Sequence, residues 1–252
     1  MNNKSATLRT LLVAMLFATC ATLQAQIGSH RNDLSVGVNG GYVMNSVGFD
    51  PKVPQKQAGG ITGGLSVRYV CEKYFSTICS ILAEVNYAQL GWKQKILTTE
   101  NQPVVNPATG LAEEYQRTIN YVQIPVFAHL AWGKEKKGVQ FFFQAGPQLG
   151  IFLNESTKAN YPLDAPATDL RSNTITAQET MPVEKKIDYG IAAGLGIELS
   201  FPKVGHFLLE GRYYYGLANI YGNSKRDYFG KSNNGTVNVK LSYLFDITKT
   251  KN

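Results

Sequence analysis

The chain has 252 residues, 25 Lys and Arg against 18 Asp and Glu, a formal charge of +7 and three cysteines. That length holds one large domain or two small ones. The basic residues are scattered rather than clustered among stacking aromatics, which excludes the usual nucleic-acid footprint, and the cysteines show neither CxxC nor zinc-ligand spacing.

The N-terminus sets the compartment. Lys4 and Arg9 flank the start of an apolar run, Leu11–Ala18, and Leu23-Gln24-Ala25 ends in a small residue. The pattern predicts a secretory signal peptide over residues 1–25, cut after Ala25. A transmembrane helix needs about 20 apolar residues, and this run is shorter. Thr19 before Cys20 departs from a lipoprotein cleavage site. The mature chain, 26–252, then carries +5 and reads as one domain. Export and mild basicity point to anionic lipid or glycan. Cys71 and Cys79 remain in the mature chain. An exported protein can hold a disulfide, and the two cysteines flank a short turn. A cross-strand bridge and two inert thiols are both open.

No mature segment has 18 consecutive apolar residues, so helices do not cross a membrane here. A period of two recurs instead, about eight times, the mark of strands with two unlike faces. Leu34, Val36 and Val38 alternate with Ser35, Gly37 and Asn39. Ile61, Leu65, Val67 and Tyr69 alternate with Thr62, Gly64, Ser66 and Arg68, and Ile81, Ala83, Val85 and Tyr87 with Ser80, Leu82, Glu84 and Asn86. Further strands cover Val122–Trp132 and Val139–Ile151. The clearest is Ile187–Leu199. Its odd positions are Ile187, Tyr189, Ile191, Ala193, Leu195, Ile197 and Leu199, and its even ones are small or charged. A helix there would hold three interior glycines at about 1 kcal/mol each. Leu209–Leu217 and Val237–Phe245 complete the set.

The connections alternate in length. Met44–Ala58, Ile96–Glu114, Asn154–Pro182 and Asn219–Asn234 are long, whereas Cys71–Ile78, Gly133–Gly138 and Ser200–His206 are short. Long loops at one end and short turns at the other belong to an outer-membrane barrel. A lipocalin-like barrel would put its apolar face inside; a membrane barrel turns it to lipid. The polar face carries Arg68, Glu84, Asp188, Glu198, Glu210, Arg212 and Lys240, and the apolar face is almost free of charge. Tyr42, Tyr69, Tyr87, Trp132, Tyr189, Tyr213, Tyr215 and Tyr243 share the apolar parity, several near strand ends where aromatic girdles sit. The fold class is therefore all-β: an eight-stranded antiparallel transmembrane β-barrel, strands within about 33–245, with long extracellular loops and short periplasmic turns.

Four stretches carry a resemblance over nearly the whole mature chain. They are Tyr121-Val122-Gln123-Ile124-Pro125-Val126; Gln144-Ala145-Gly146-Pro147; Asp188-Tyr189-Gly190 with Gly194-Leu195-Gly196; and Arg212–Ile220. The chain resembles the PorT-like outer-membrane β-barrel family, related in architecture to small OmpA- and OmpX-type barrels. The resemblance implies a non-enzymatic barrel with a part in protein secretion or envelope organisation, acting through loops and partner contacts.

Candidate functional residues follow from the inward face. Arg68, Glu84, His129, Glu198, Glu210 and Arg212 fall in the periplasmic half of a narrow lumen, where charges must pair. They predict a salt-bridged structural plug, with Glu84 as a neighbour of His129. The inward glycines leave room for large lumen side chains. Gly194–Glu198 lies inside a strand and fails the context of a nucleotide loop. No His–Ser pair stands out for nucleophilic catalysis, and no metal-ligand spacing occurs on one strand face. No catalytic residue, cofactor or metal is expected. Lys225, Arg226, Tyr228 and Phe229 form the best candidate for an exposed loop patch. Expected partners are outer-membrane lipid and lipopolysaccharide and envelope or secretion proteins, around a monomeric barrel. A small passive channel and a lipid-modifying enzyme are the alternatives.

Overall fold

The computed structural model describes residues 28–250, apart from 108, 136, 164, 165, 167 and 223–226. The expected leader, residues 1–25, and Lys225 and Arg226 lie outside the described residues. Eight strands follow in chain order: β1 Ser29–Asp50, β2 Gln55–Tyr74, β3 Thr77–Gln94, β4 Tyr115–Gly133, β5 Gly138–Ala159, β6 Ile187–Phe201, β7 Gly205–Gly216 and β8 Lys231–Thr248. Each pairs antiparallel with the next, and β1 closes on β8 through pairs such as Val38 with Tyr243 and Gly41 with Lys240. Closure leaves no edge, so the strands satisfy their ladder hydrogen bonds with one another rather than with water. This is what lets a sheet cross lipid.

The faces are inverted relative to a soluble barrel, as the alternation predicts. Leu65 is 63% exposed and Leu195 68% exposed on the outside, while Arg212 is 3% and Lys240 1% exposed in the lumen. Glycines make the narrow interior fit. A Cβ on Gly196 would stand 2.5 Å from the Phe142 ring, and one on Gly190 would stand 2.8 Å from the Tyr214 ring.

The strands run well past the membrane. β1 and β5 have 22 residues each, where one crossing takes about 9–11. Above the lipid the pattern changes sign. On β3, Ile81, Val85 and Tyr87 point outward; further along, Ala88, Leu90 and Trp92 are buried inside while Lys93 is exposed. Gly91 marks this stretch: its φ of 143° suits glycine, and a Cβ would collide with the Arg117 carbonyl.

The inversion corrects one expected loop. Met44–Ala58 is not a long connection. β1 continues to Asp50 and β2 begins at Gln55, because Val43, Val47 and Phe49 turn inward into the large apolar cluster at the extracellular end of the barrel. The other outer connections are long, and that between β5 and β6 folds back into the barrel mouth through a 3-10 turn, Thr168–Leu170, and a short helix α1, Ala177–Thr180.

Candidate functional site

The lumen is filled in tiers, and each tier draws on strands far apart in sequence. In mid-barrel Arg212 of β7 donates to both oxygens of Glu84 on β3 at 2.9 and 3.1 Å, and to Glu210 at 2.6 Å. Lys240 of β8 donates to Glu84 at 2.7 Å. Two cations thus face two carboxylates, all deeply buried. The Arg212 guanidinium also lies 4.4 Å from the Phe127 ring centroid. Gln144 donates to Glu210 and meets His129 Nδ1 at 3.0 Å. All six predicted lumen residues are therefore buried in the barrel. One pairing differs: His129 meets Gln144, since its ring sits against Phe142 with centroids 4.6 Å apart, while Glu84 is taken by Arg212 and Lys240. Lys240, recognised only as a polar-face residue, is a full member of the cluster.

Nearer the periplasm Arg68 of β2 pairs with Glu198 of β6 at 2.7 Å. His206 was expected in a turn. The turn is Pro202–Val204, so His206 is instead the second residue of β7 and points inward. Its Nδ1 lies 2.6 Å from Glu198 and its Nε2 3.1 Å from Asp246. Ser35 donates to the same Asp246 at 2.7 Å. Ser200 Oγ stands 2.9 Å from His206 Nδ1, which completes a Ser-His-Asp set that sequence spacing did not reveal. The geometry is wrong for a nucleophile. A catalytic histidine turns a lone pair to the serine and its N–H to the aspartate. Here the nitrogen facing Ser200 already faces the Glu198 carboxylate at closer range, so no lone pair is free for the serine proton. The set ties β6, β7 and β8 together at the periplasmic mouth, beside a cavity of about 140 Å³ lined by Arg31, Arg68, Glu135 and Gln140.

Above the charged tiers Asn234 donates to Asp188 at 3.2 Å, and Thr236 donates to Asn45 at 2.6 Å. Asp188 therefore marks the upper lumen. The extracellular mouth is closed by an apolar core. Phe49 packs on Trp92, Tyr221 and Phe229 with ring centroids 5.3, 6.3 and 5.0 Å away. Helix α1 is its lid. The Gln178 carbonyl accepts from Tyr115 at 3.3 Å, Arg117 at 3.0 Å and Tyr221 at 3.3 Å. Arg171 clamps the lid by pairing with Glu113 at 2.9 Å and Glu179 at 2.7 Å, while Arg117 pairs with Glu155 at 2.6 Å. Burial works against the Arg171 charge, but Glu179 and Glu113 more than offset it and hold the guanidinium above its usual range. Burial pushes the Tyr161 and Tyr221 phenols up.

Cys71 and Cys79 are free thiols, because the register shifts between Val70 and Glu72 and sets Glu72, not Cys71, opposite Cys79. Of the described residues of the loop patch, Phe229 is 0% exposed in the apolar core rather than in solvent, and Tyr228 beside it faces solvent.

A closed antiparallel ring with lipid-facing apolar side chains and a charge-paired lumen defines an integral outer-membrane barrel. The chain belongs to the outer membrane protein beta-barrel domain family, which it matches over residues 24–222. Solved structures similar to it include Neisserial surface protein A (12% identity, 84% of this chain and 97% of that one, TM-score 0.40). Others are Ail of Yersinia pestis in complex with the heparin analogue sucrose octasulfate (13%, 85% and 99%, 0.36), and OprG from Pseudomonas aeruginosa (12%, 86% and 98%, 0.38). No curated protein matches the sequence.

Proposed function

We propose that this protein is a non-enzymatic outer-membrane barrel with a closed lumen, which works through its extracellular surface and its contacts with envelope or secretion proteins. The observation that carries the reading is the mid-lumen cluster, in which Arg212 and Lys240 span the barrel to Glu84 on the opposite wall. An interior crossed by paired charges and capped by an apolar core is a scaffold rather than a passage. The resemblance to PorT-like barrels supplies the processes, secretion or envelope organisation. The leader over residues 1–25 belongs to the same proposal, and a mature N-terminus at Gln26 is its expected product.

Planar-bilayer recording on the folded monomer tests the reading. No steady conductance is expected. A stable open level would favour a small passive channel and overturn the closed lumen. Crosslinking in native outer membrane, followed by mass spectrometry, then identifies the protein partner.

A further inference from the structure

The outward face of the strand extensions carries a feature that the lumen does not explain. Lys56 of β2 lies directly opposite Lys93 of β3, Lys93 opposite Gln116 of β4, and Gln116 opposite Lys158 of β5. Three exposed lysines therefore stand in one row across four adjacent strands, with exposed Lys95 two residues beyond Lys93. Neighbouring strands lie about 4.8 Å apart, so Lys56 is about 5 Å from Lys93 in the row and Lys158 about 10 Å further along. Lysines that form ion pairs among the described residues are Lys73, Lys240 and Lys249, none of them in this row.

Like charges directly opposite one another weaken a sheet. Among the described residues no carboxylate forms an ion pair with them: Glu113 nearby is committed to Arg171, which leaves the exposed Glu114 against four lysines. The row borders a groove of about 830 Å³ with Ile96, Leu97 and Pro103 along it. Four cations spaced about 5–10 Å apart along an open groove suit an extended ligand with several anionic groups.

The height of the row selects the ligand. Tyr87 is the last outward aromatic on β3, and Lys93 comes six residues later. At about 3.3 Å per residue that is roughly 20 Å along the strand, or about 15 Å above Tyr87 in the interfacial girdle for a strand tilted about 40°. Headgroups end below that level. The side chains also point sideways over the membrane, not upward from the loop tips. What stands beside the barrel there is the sugar of outer-leaflet lipopolysaccharide. We propose that Lys56, Lys93, Lys95 and Lys158, with Gln116 between them, form a binding site for the anionic saccharide of neighbouring lipopolysaccharide. The site deepens the reading of a barrel that works through its outer surface, yet it does not depend on the lumen being closed.

The test uses the full mature chain folded in detergent micelles, with the phosphorylated core oligosaccharide released from lipopolysaccharide by deacylation as the probe. Titration calorimetry should show binding that weakens with salt. The triple variant K56Q/K93Q/K158Q should lose affinity by at least about tenfold. The variant K52Q/K185Q, at exposed extracellular lysines outside the row, should stay within about twofold. Heat-modifiable migration on gels confirms that each variant is folded. Removing the phosphates from the oligosaccharide should weaken binding as the triple variant does. Equal binding by wild type and triple variant, or by phosphorylated and dephosphorylated probe, would overturn the site. So would binding of dextran sulfate without binding of the core oligosaccharide, which would assign the row to a foreign glycan. Conductance is read separately, so failure of the site and failure of the closed lumen are distinguishable.

Discussion

Below Tyr87 the barrel buries charge and exposes apolar side chains; above Tyr87 the same strand does the reverse. Glu84 points in and Val85 points out, whereas eight residues further Trp92 points in and Lys93 points out. The parity of β3 is continuous between them in its pairing with β4, from Asn86–Gln123 through Lys93–Gln116. What changes is the medium outside. In lipid the apolar side chains face outward and the lumen must balance its own charges; in water the outer face turns polar and the interior becomes an ordinary packed core. The two regions are also held differently. The lower one is pinned by a few pairs between opposite walls, Arg68 with Glu198 and Arg212 with Glu84. The upper one is packed by many aromatic contacts and a folded loop.

Breaking each region on its own sharpens the contrast. Arg212→Ala should have the largest effect, because it strands Glu84 and Glu210 in the lumen with Lys240 alone. A loss of about 4 kcal/mol is expected, seen as a lower urea midpoint for the heat-modifiable form. An unchanged midpoint would mean that the mid-lumen charges do not hold the barrel. Arg171→Ala releases the lid from Glu113 and Glu179 at a cost of about 3 kcal/mol, confined to the cap. Protease should then cut between β5 and β6 while the barrel keeps its heat-modifiable band. Loss of that band would show that cap and barrel unfold as one unit. Trp92→Phe trims the packing against Phe49 and should cost about 1–2 kcal/mol, read as faster hydrogen exchange in β3 above Tyr87 alone.

The lower barrel was legible from sequence because its alternation has one sign throughout. Arg68, Glu84, His129, Glu198, Glu210 and Arg212 share the inward parity, and all are buried. The partners across the lumen were not legible, since tilt and stagger decide which walls meet; hence His129 was matched to Glu84 and Lys240 was left without a role. The upper barrel was largely missed. Where the sign of the pattern flips, the apolar parity ends abruptly, and Val43, Val47 and Phe49 imitate the end of a strand. Phe229 was placed in solvent for a related reason: a loop aromatic carries no local signal of the core it will enter. The legible signature, in retrospect, is two successive alternations of opposite sign with no turn residue between them.

The smallest effect tests the one site where the two regions' logic and enzyme chemistry compete. Ser200 touches His206, and His206 touches Asp246, yet Glu198 holds the ring nitrogen that a nucleophilic serine would need. If the set is a latch, Ser200→Ala removes only a hydroxyl that donates to Glu198 at 3.3 Å, while both carboxylates still grip the ring. The expected cost is about 1 kcal/mol in the urea midpoint. His206→Ala should cost several times more, because it separates Glu198 from Asp246 and frees the start of β7 from β8. If the set were catalytic, the ranking by function would differ: Ser200→Ala would abolish a hydrolytic activity while leaving stability nearly intact. Measuring both variants for stability and for release of fatty acid from outer-membrane lipid separates the cases. A latch predicts unequal stabilities and no activity in wild type or either variant.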